Sequence, residues 1–266
     1  MGPMAETEAR QTEARQARIA DLLEQRGTVR TSELVGTLGV TDTSIRRDLA
    51  ALEAQGRLIR VHGGAVAPPR DPRAARFAEQ SRLRMAQKRR IGAAAAGLIR
   101  PGEVLLFDAG TTAFQVAAQV PEALRSGGLL TIVTNSYPLV NELRTWPSPN
   151  CIFLGGLYLP DFQASVGPIA LSQLQAMTAD RAFLGADGLT LDGGMTTAHV
   201  LMADLDRAMA ERARTVVLVA DSTKLGRAGF YPVLPIERLN TIVTDSGADA
   251  QLVAGLRARG LEVILA

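Results

Sequence analysis

The chain has 266 residues, a formal charge of +2 and 47% hydrophobic residues, enough to bury one large core or two smaller ones. Its one cysteine, Cys151, excludes an internal disulfide framework, and with two histidines it leaves too few ligands for a Cys/His zinc site. No stretch of about 18 apolar residues offers a membrane span, and the charged opening MGPMAETEARQTEARQAR is no secretory signal.

A cytoplasmic protein is therefore expected, with Cys151 read as a small buried hydrophobe. The small net charge hides an asymmetry. Residues 1–100 carry 18 Lys+Arg against 11 Asp+Glu, while residues 101–266 carry 11 against 16. A basic front and an acidic rear suggest that only the front meets a polyanion.

Three helices are predicted in the first sixty residues. Residues 12–26 put Ile19, Leu22 and Leu23 on one face and stop at Gly27. A second helix over 31–38 pairs Leu34 with Leu38, with Thr31 as its expected N-cap. A turn at Gly39-Val40 leads to Thr41, the expected N-cap of a third helix over 42–54. Short helices joined by a glycine-containing turn form a helix-turn-helix pattern.

In the third helix Ile45, Leu49 and Leu52 make the apolar stripe. At 100° per residue, Thr43, Arg47, Ala50 and Ala54 point the other way. Small residues let a helix sink into a groove, and polar ones near its N-terminus can reach base edges. Arg46 lies at the flank, within reach of a phosphate or a base. Ser44 and the helix N-terminus can hold a backbone phosphate. After Gly56, RLIRV reads as a strand, His-Gly-Gly as a turn, and AVAPP as a return strand cut off by Pro68-Pro69. That hairpin would be a wing, whose Arg60 or His62 could touch the DNA backbone or minor groove; for His62 a plain turn residue is an equal reading.

The run VTDTSIRRDL, followed by LEAQGRLIRVHGGA, resembles the winged helix of the DeoR family of bacterial transcriptional regulators over about residues 15–66. Thr41 stands where that family more often has serine, and Ser44 where it more often has threonine. Both swaps keep the hydroxyl. The DNA-contacting set is then Thr41, Thr43, Ser44, Arg46, Arg47, Arg60 and His62. The expected organisation is a DNA-binding domain at 12–68, a proline- and arginine-rich linker at 69–87 with solvated arginines, and a sensing and oligomerisation domain at 88–266.

The rear of the chain alternates strand and helix patterns. Strands are predicted at 103–108, 129–134, 151–154, 181–186, 215–220, 240–244 and 261–265. Helices are predicted at 112–120, 137–145, 168–178, 199–213 and 248–259. Short Val/Ile/Leu strands with helices between them argue for an α/β fold with a mostly parallel sheet. Ligands of such sheets sit beyond the carboxyl ends of the strands. There this sequence places Asp108 to Thr112, Thr134-Asn135-Ser136, Gly155-Gly156, Gly185 to Gly188, Asp221 to Lys224, and Thr244-Asp245.

These residues suit a phosphorylated polyol. Gly110-Thr111-Thr112 opens a helix whose free N–H groups and hydroxyls can cradle a phosphate, and Lys224 adds a cation. Asp108, Asn135, Asp187 and Asp221 can take sugar hydroxyls, although Asp108 and Asp221 read equally well as loop caps. No G-x-G-x-x-G follows the first strand, which disfavours a dinucleotide. No cofactor or metal is implied.

The ordered strings DAGTT, TNS, LGG, FLGADG, GMTT, DSTK and TD resemble the DeoR sensor domain over about residues 88–265. That domain is similar in fold to ribose-5-phosphate isomerase. The resemblance implies a repressor of a sugar-catabolism operon, released from operator DNA by a phosphorylated sugar. It implies effector contacts at Asp108, Gly110, Thr111, Thr112, Asn135 and Lys224, with Asp187 and Asp221 as further candidates. It also implies a homo-oligomer, dimer or tetramer. The competing reading is a sugar-phosphate isomerase with an accessory DNA-binding domain. Against it, Gly185-Ala186-Asp187-Gly188 lacks the glutamate that the enzyme carries after its aspartate, so no catalytic base is expected.

Overall fold

The structure, a computed structural model, describes residues 3–61, 63–67, 72–127 and 129–266. His62 and the Pro68-Pro69 break lie outside the described residues. The chain forms two compact units, Met1–Ala78 and Glu79–Ala266.

In the first unit, helix α1 (Pro3–Arg26) begins well before the predicted residue 12 and ends at Gly27, which adopts a left-handed φ of 71°. A strand β1 (Thr28–Arg30), not foreseen, leads into α2 (Thr31–Leu38). Thr31 is the first residue of α2 and is buried; Arg30 occupies the N-cap position without a side-chain cap. The Thr31 N–H is instead taken by the carbonyl of Gly63, so the wing supplies the cap that Thr31 was expected to be. Helix α3 (Asp42–Ala54) follows, and here Thr41 does cap, accepting the Ser44 N–H at 3.3 Å.

Strands β2 (Ile59–Val61) and β3 (Gly64–Val66) form the predicted hairpin, and β1 pairs with β3 on its other side. The two glycines of the turn have different causes. Gly63 sits at φ 76°, where other residues are strained. Gly64 needs space: a Cβ there would lie 2.1 Å from the carbonyl oxygen of Val29 on β1. Ile19, Leu22, Leu23, Leu34, Ile45, Leu49 and Leu52 join Val29, Leu58 and Ala65 in the unit's own core.

Helix α4 (Pro72–Arg82) crosses the boundary between the units and is followed by α5 (Met85–Ala96). The chain then runs through β4 (Val104–Phe107), α6 (Thr111–Ala118), α7 (Glu122–Ser126), β5 (Thr131–Thr134), α8 (Tyr137–Leu143), β6 (Asn150–Phe153), β7 (Leu157–Leu159), β8 (Ala164–Val166) and α9 (Pro168–Gln175). It finishes with β9 (Ala179–Leu184), β10 (Gly188–Thr190), β11 (Gly194–Thr197), α10 (Val200–Arg212), β12 (Ala213–Val219), β13 (Tyr231–Leu234), β14 (Thr241–Thr244), α11 (Ala250–Ala258) and β15 (Glu262–Leu265).

All seven predicted strands enter one parallel sheet, ordered β15-β14-β12-β9-β4-β5-β6. The chain starts at β4, winds outward through β5 to β6, then returns to β9 and winds the other way. The switch point therefore lies between β4 and β9, which is where such sheets open a crevice at their carboxyl ends. Phe107 and Phe183 face each other across this pair, with rings stacked at 5.0 Å. Such stacking adds about 0.5–1.5 kcal/mol beyond burial and holds the crevice walls in register. Core side chains cover both sheet faces; Cys151 is half-buried against one of them.

Two further sheets were not predicted, the β7–β8 hairpin and the antiparallel β10-β11-β13 sheet. Their strands are three or four residues long, too short for a period-2 pattern to stand out.

Candidate functional site

On α3 the apolar stripe is buried, while Thr43, Arg47, Ala50 and Ala54 are all exposed. Thr41 and Ser44 sit together at the helix start, their hydroxyls 3.0 Å apart. Arg46 is paired along the helix with Asp42 at 2.5 Å, and Arg60 on the wing is held by Glu53 at 4.0 Å. Arg47 is the exposed arginine in the middle of the small-residue face.

The position of α3 is set by a pair that sequence reading missed. Asp48 is buried, and its carboxylate accepts Arg15 Nε at 2.5 Å, Arg15 Nη2 at 3.2 Å and Gln16 Nε2 at 3.2 Å. This bidentate contact ties α1 to α3 and raises the Arg15 pKa, chiefly through the hydrogen bond to Asp48. A buried carboxylate in a helix otherwise lined by Ile45 and Leu49 needs such a partner.

At the switch point of the second unit, Asp108 follows β4 and is buried. Its Oδ1 accepts the Gly110 N–H at 2.9 Å and its Oδ2 the Gly185 N–H at 2.7 Å. It therefore staples the loops that follow β4 and β9. Burial pushes its pKa up to about 6, with the two N–H donors pulling downward and the charge of Asp187 upward. Gly110 is the N-cap of α6 and offers no side-chain cap. The first N–H groups of that helix, at half-buried Thr111 and buried Thr112, therefore have no side-chain cap and lie at the carboxyl end of β4, beside the switch point.

Asp187 is half-buried; its Oδ2 accepts the Thr197 hydroxyl at 3.1 Å and the Ala198 N–H at 2.8 Å. Its Oδ1 meets Lys224 Nζ at 3.5 Å. The loops after β9 and β12 are bridged in this way, with Lys224 still part-exposed on the rim. Asn135 is fully buried and donates to the Ser165 carbonyl at 3.0 Å, while its Oδ1 has no partner.

Asp221 takes the loop-cap role. It caps the short turn Ser222–Lys224, accepting Thr223 N–H at 3.1 Å and the Thr223 hydroxyl at 2.5 Å. It also pairs with Arg84 Nε at 3.3 Å. Arg84 in addition lies 3.6 Å from Asp245 and 3.2 Å from the Ser222 hydroxyl. This corrects the expectation of solvated linker arginines: Arg84 locks the turn between α4 and α5 onto the loops after β12 and β14. It does so from a left-handed φ of 54°, which costs a non-glycine residue about 1–2 kcal/mol.

Lys88, one turn further on, is 4% exposed and donates to the Gln80 carbonyl at 2.5 Å. Burial lowers its pKa to about 8; Asp221 opposes this, and Lys224 and Arg84 add to it. Arg84, Lys88, Asp221 and Lys224 therefore form one charged cluster at the rim. Nothing local in the linker sequence marks Arg84, because its partners Asp221, Ser222 and Asp245 lie more than a hundred residues away.

Two units of this kind, a winged helix-turn-helix and a doubly wound α/β unit with a polar carboxyl-end rim, define a DNA-binding regulator with a sensing domain. The chain belongs to the DeoR family: residues 15–70 match its DeoR-like helix-turn-helix domain and residues 83–246 its DeoR C terminal sensor domain. It is 34% identical over 251 residues to the HTH-type transcriptional regulator GlpR of Haloferax volcanii, covering 94% of this chain and 96% of that one. It is 31% identical over 237 residues to the transcriptional repressor AccR of Agrobacterium fabrum, covering 89% and 90%. These relatives are regulators, not enzymes.

Among solved structures, ribose 5-phosphate isomerase A from Neisseria gonorrhoeae gives a TM-score of 0.38 at 16% identity, over 55% of this chain and 54% of that one. The sorbitol operon regulator SorC from Klebsiella pneumoniae gives 0.42 at 14% identity, over 91% and 97%. These are low scores, and the fold rests on the strand order itself. Among the described residues, no helix is long and apolar enough to cross a membrane.

Proposed function

We propose that the protein represses a sugar- or carbohydrate-catabolism operon and leaves its operator when a phosphorylated sugar binds at the strand ends of the sensor domain. The observation that carries this reading is the carboxyl-end rim itself. The uncapped start of α6 opens at the β4–β9 switch point, and Lys224 stands on the same rim beside Asp187. Helix N–H groups and an ammonium suit a phosphate, and the spare acceptor of Asn135 suits a hydroxyl. In this reading Asp108 and Asp221 serve chiefly to hold the loops. The direct test is a screen of pentose and hexose phosphates for release of bound operator; release by none of them would sink the phosphate reading.

On the DNA side, Thr43 and Arg47 face the bases, while Thr41, Ser44, Arg46 and Arg60 meet the backbone. Arg46 and Arg60 would exchange Asp42 and Glu53 for phosphates. Arg47→Ala is expected to cost about 1–3 kcal/mol on operator DNA and to relax specificity. Fluorescence anisotropy on operator and random duplexes checks this; equal losses on both would make Arg47 a phosphate contact.

A homo-oligomer, dimer or tetramer, is part of the same proposal, since operators mirror protein symmetry. Ile152 on the edge strand β6, Leu157 and Tyr158 on β7, and Ile169 on α9 are exposed apolar residues that a second copy could cover. Light scattering of Leu157→Glu/Ile169→Glu should report monomers where the native chain gives dimers or tetramers; an unchanged mass would place the contact elsewhere.

A further inference from the structure

Asp206 is a carboxyl group that none of the contacts above uses. It lies on α10 between the core residues Leu205 and Met209, is 2% exposed, and its Oδ1 has no hydrogen-bond partner. Helix α10 starts on the rim side, directly after the Thr197-Ala198 pair that holds Asp187, and ends where β12 begins. Helical side chains lean toward the N-terminus, so the Asp206 carboxyl leans back toward the end of α10 that follows the Thr197-Ala198 pair. It is close enough to Asp108 and Asp187 to feel both charges, which add to burial in raising its pKa well above the usual carboxylate range.

A buried carboxyl oxygen without a donor is costly, and Lys224 on the rim already serves Asp187. Among the described residues, no three acids, histidines or cysteines are grouped to hold a metal ion. Burial and the neighbouring charges favour the uncharged acid, and only a group that brings both hydrogen-bond donors and positive charge would pair it in its ionised form. A sugar hydroxyl brings only the first.

We propose that Asp206 forms the floor of the effector pocket and selects an effector carrying a protonated amino group, an amino sugar rather than its hydroxyl counterpart. The proposal rests on reading the rim as the effector site. The ammonium donates to Asp206 while the rest of the sugar reaches the spare acceptor of Asn135 and the rim above.

The test uses the full chain and calorimetric titration with glucosamine 6-phosphate, galactosamine 6-phosphate, their hydroxyl counterparts glucose and galactose 6-phosphate, and the two free amino sugars. One amino sugar phosphate should bind at least about tenfold more tightly than its hydroxyl counterpart, the scale of one charge-assisted hydrogen bond. Asp206→Asn, which keeps the side-chain shape, should bring that ratio close to one. The ligand-free melting curve of the variant checks its folding. Should it not fold, the N-acetylated phosphates, whose amine is masked, make the same comparison on the native chain and should bind about tenfold less tightly. The proposal is overturned if the hydroxyl or acetylated forms bind as well as the amines, or if the preference survives Asp206→Asn. Binding of a free amino sugar with no gain from its phosphate would support the amine and overturn the phosphate reading. Binding of none of the probes overturns both.

Discussion

Replacing Lys224 by alanine is expected to shift effector-driven release from the operator by roughly 30- to 150-fold in effector concentration. A charge-assisted contact to a phosphate contributes about 2–3 kcal/mol, and every 1.4 kcal/mol is about tenfold in affinity. The substitution also strips Asp187 of its cation at 3.5 Å, leaving a carboxylate on the rim that repels an incoming phosphate. Because Lys224 belongs to the second unit, the loss should appear in release and not in binding of operator without effector. Titrating effector against a preformed operator complex reads it directly. A release curve that superimposes on the native one would put the phosphate elsewhere, with the start of α6 as the next candidate. The underlying requirement is general: an effector shifts DNA binding only as far as its affinities for the bound and free states differ.

Arg15→Ala should be the most disruptive single change in the DNA-binding unit. Asp48 is buried and loses two of its three donors, keeping only Gln16. Removing one partner of a buried pair costs about 3–5 kcal/mol, a large share of the roughly 5–15 kcal/mol that holds a typical domain. Hydrogen exchange on the full chain should find the α3 amides unprotected while β4, β9 and β12 stay protected, with operator binding lost in parallel. Asp48→Leu introduced with Arg15→Ala should restore much of the protection, because the double change leaves no unpaired charge. Native-like exchange in the single variant would mean that Asp48 finds another donor.

These expectations separate what local pattern reveals from what it hides. Strand and helix positions in the second unit were legible because runs such as VVLV at 216–219 and TIVT at 241–244 are buried on both faces of a parallel sheet, and such strands read as continuous apolar stretches. The outward face of α3 was legible because a period of 3.6 needs only thirteen residues to display itself. The polar strand ends were legible for the same local reason: each follows its strand directly.

Which carboxylate staples a loop and which is left without a partner could not be read that way. Asp108, Asp187, Asp206 and Asp221 are alike in sequence, yet Asp108 is spent on two N–H groups and Asp221 on Thr223 and Arg84, while the Oδ1 of Asp206 finds no hydrogen bond among the described residues. Linker residue Arg84 has no sequence neighbour that betrays its partners 137 and 161 positions on. By itself the sequence determined the helices of the DNA-binding unit, the seven strands of the parallel sheet and the polar residues that follow them, because hydrophobic periodicity and turn chemistry act over a few residues. Strand β1 and the three- and four-residue strands of the β7–β8 and β10-β11-β13 sheets were too short to show a period. Only the tertiary structure decided which charges are paired, buried or left open, because those outcomes depend on groups far apart in the chain meeting in a place from which water is excluded.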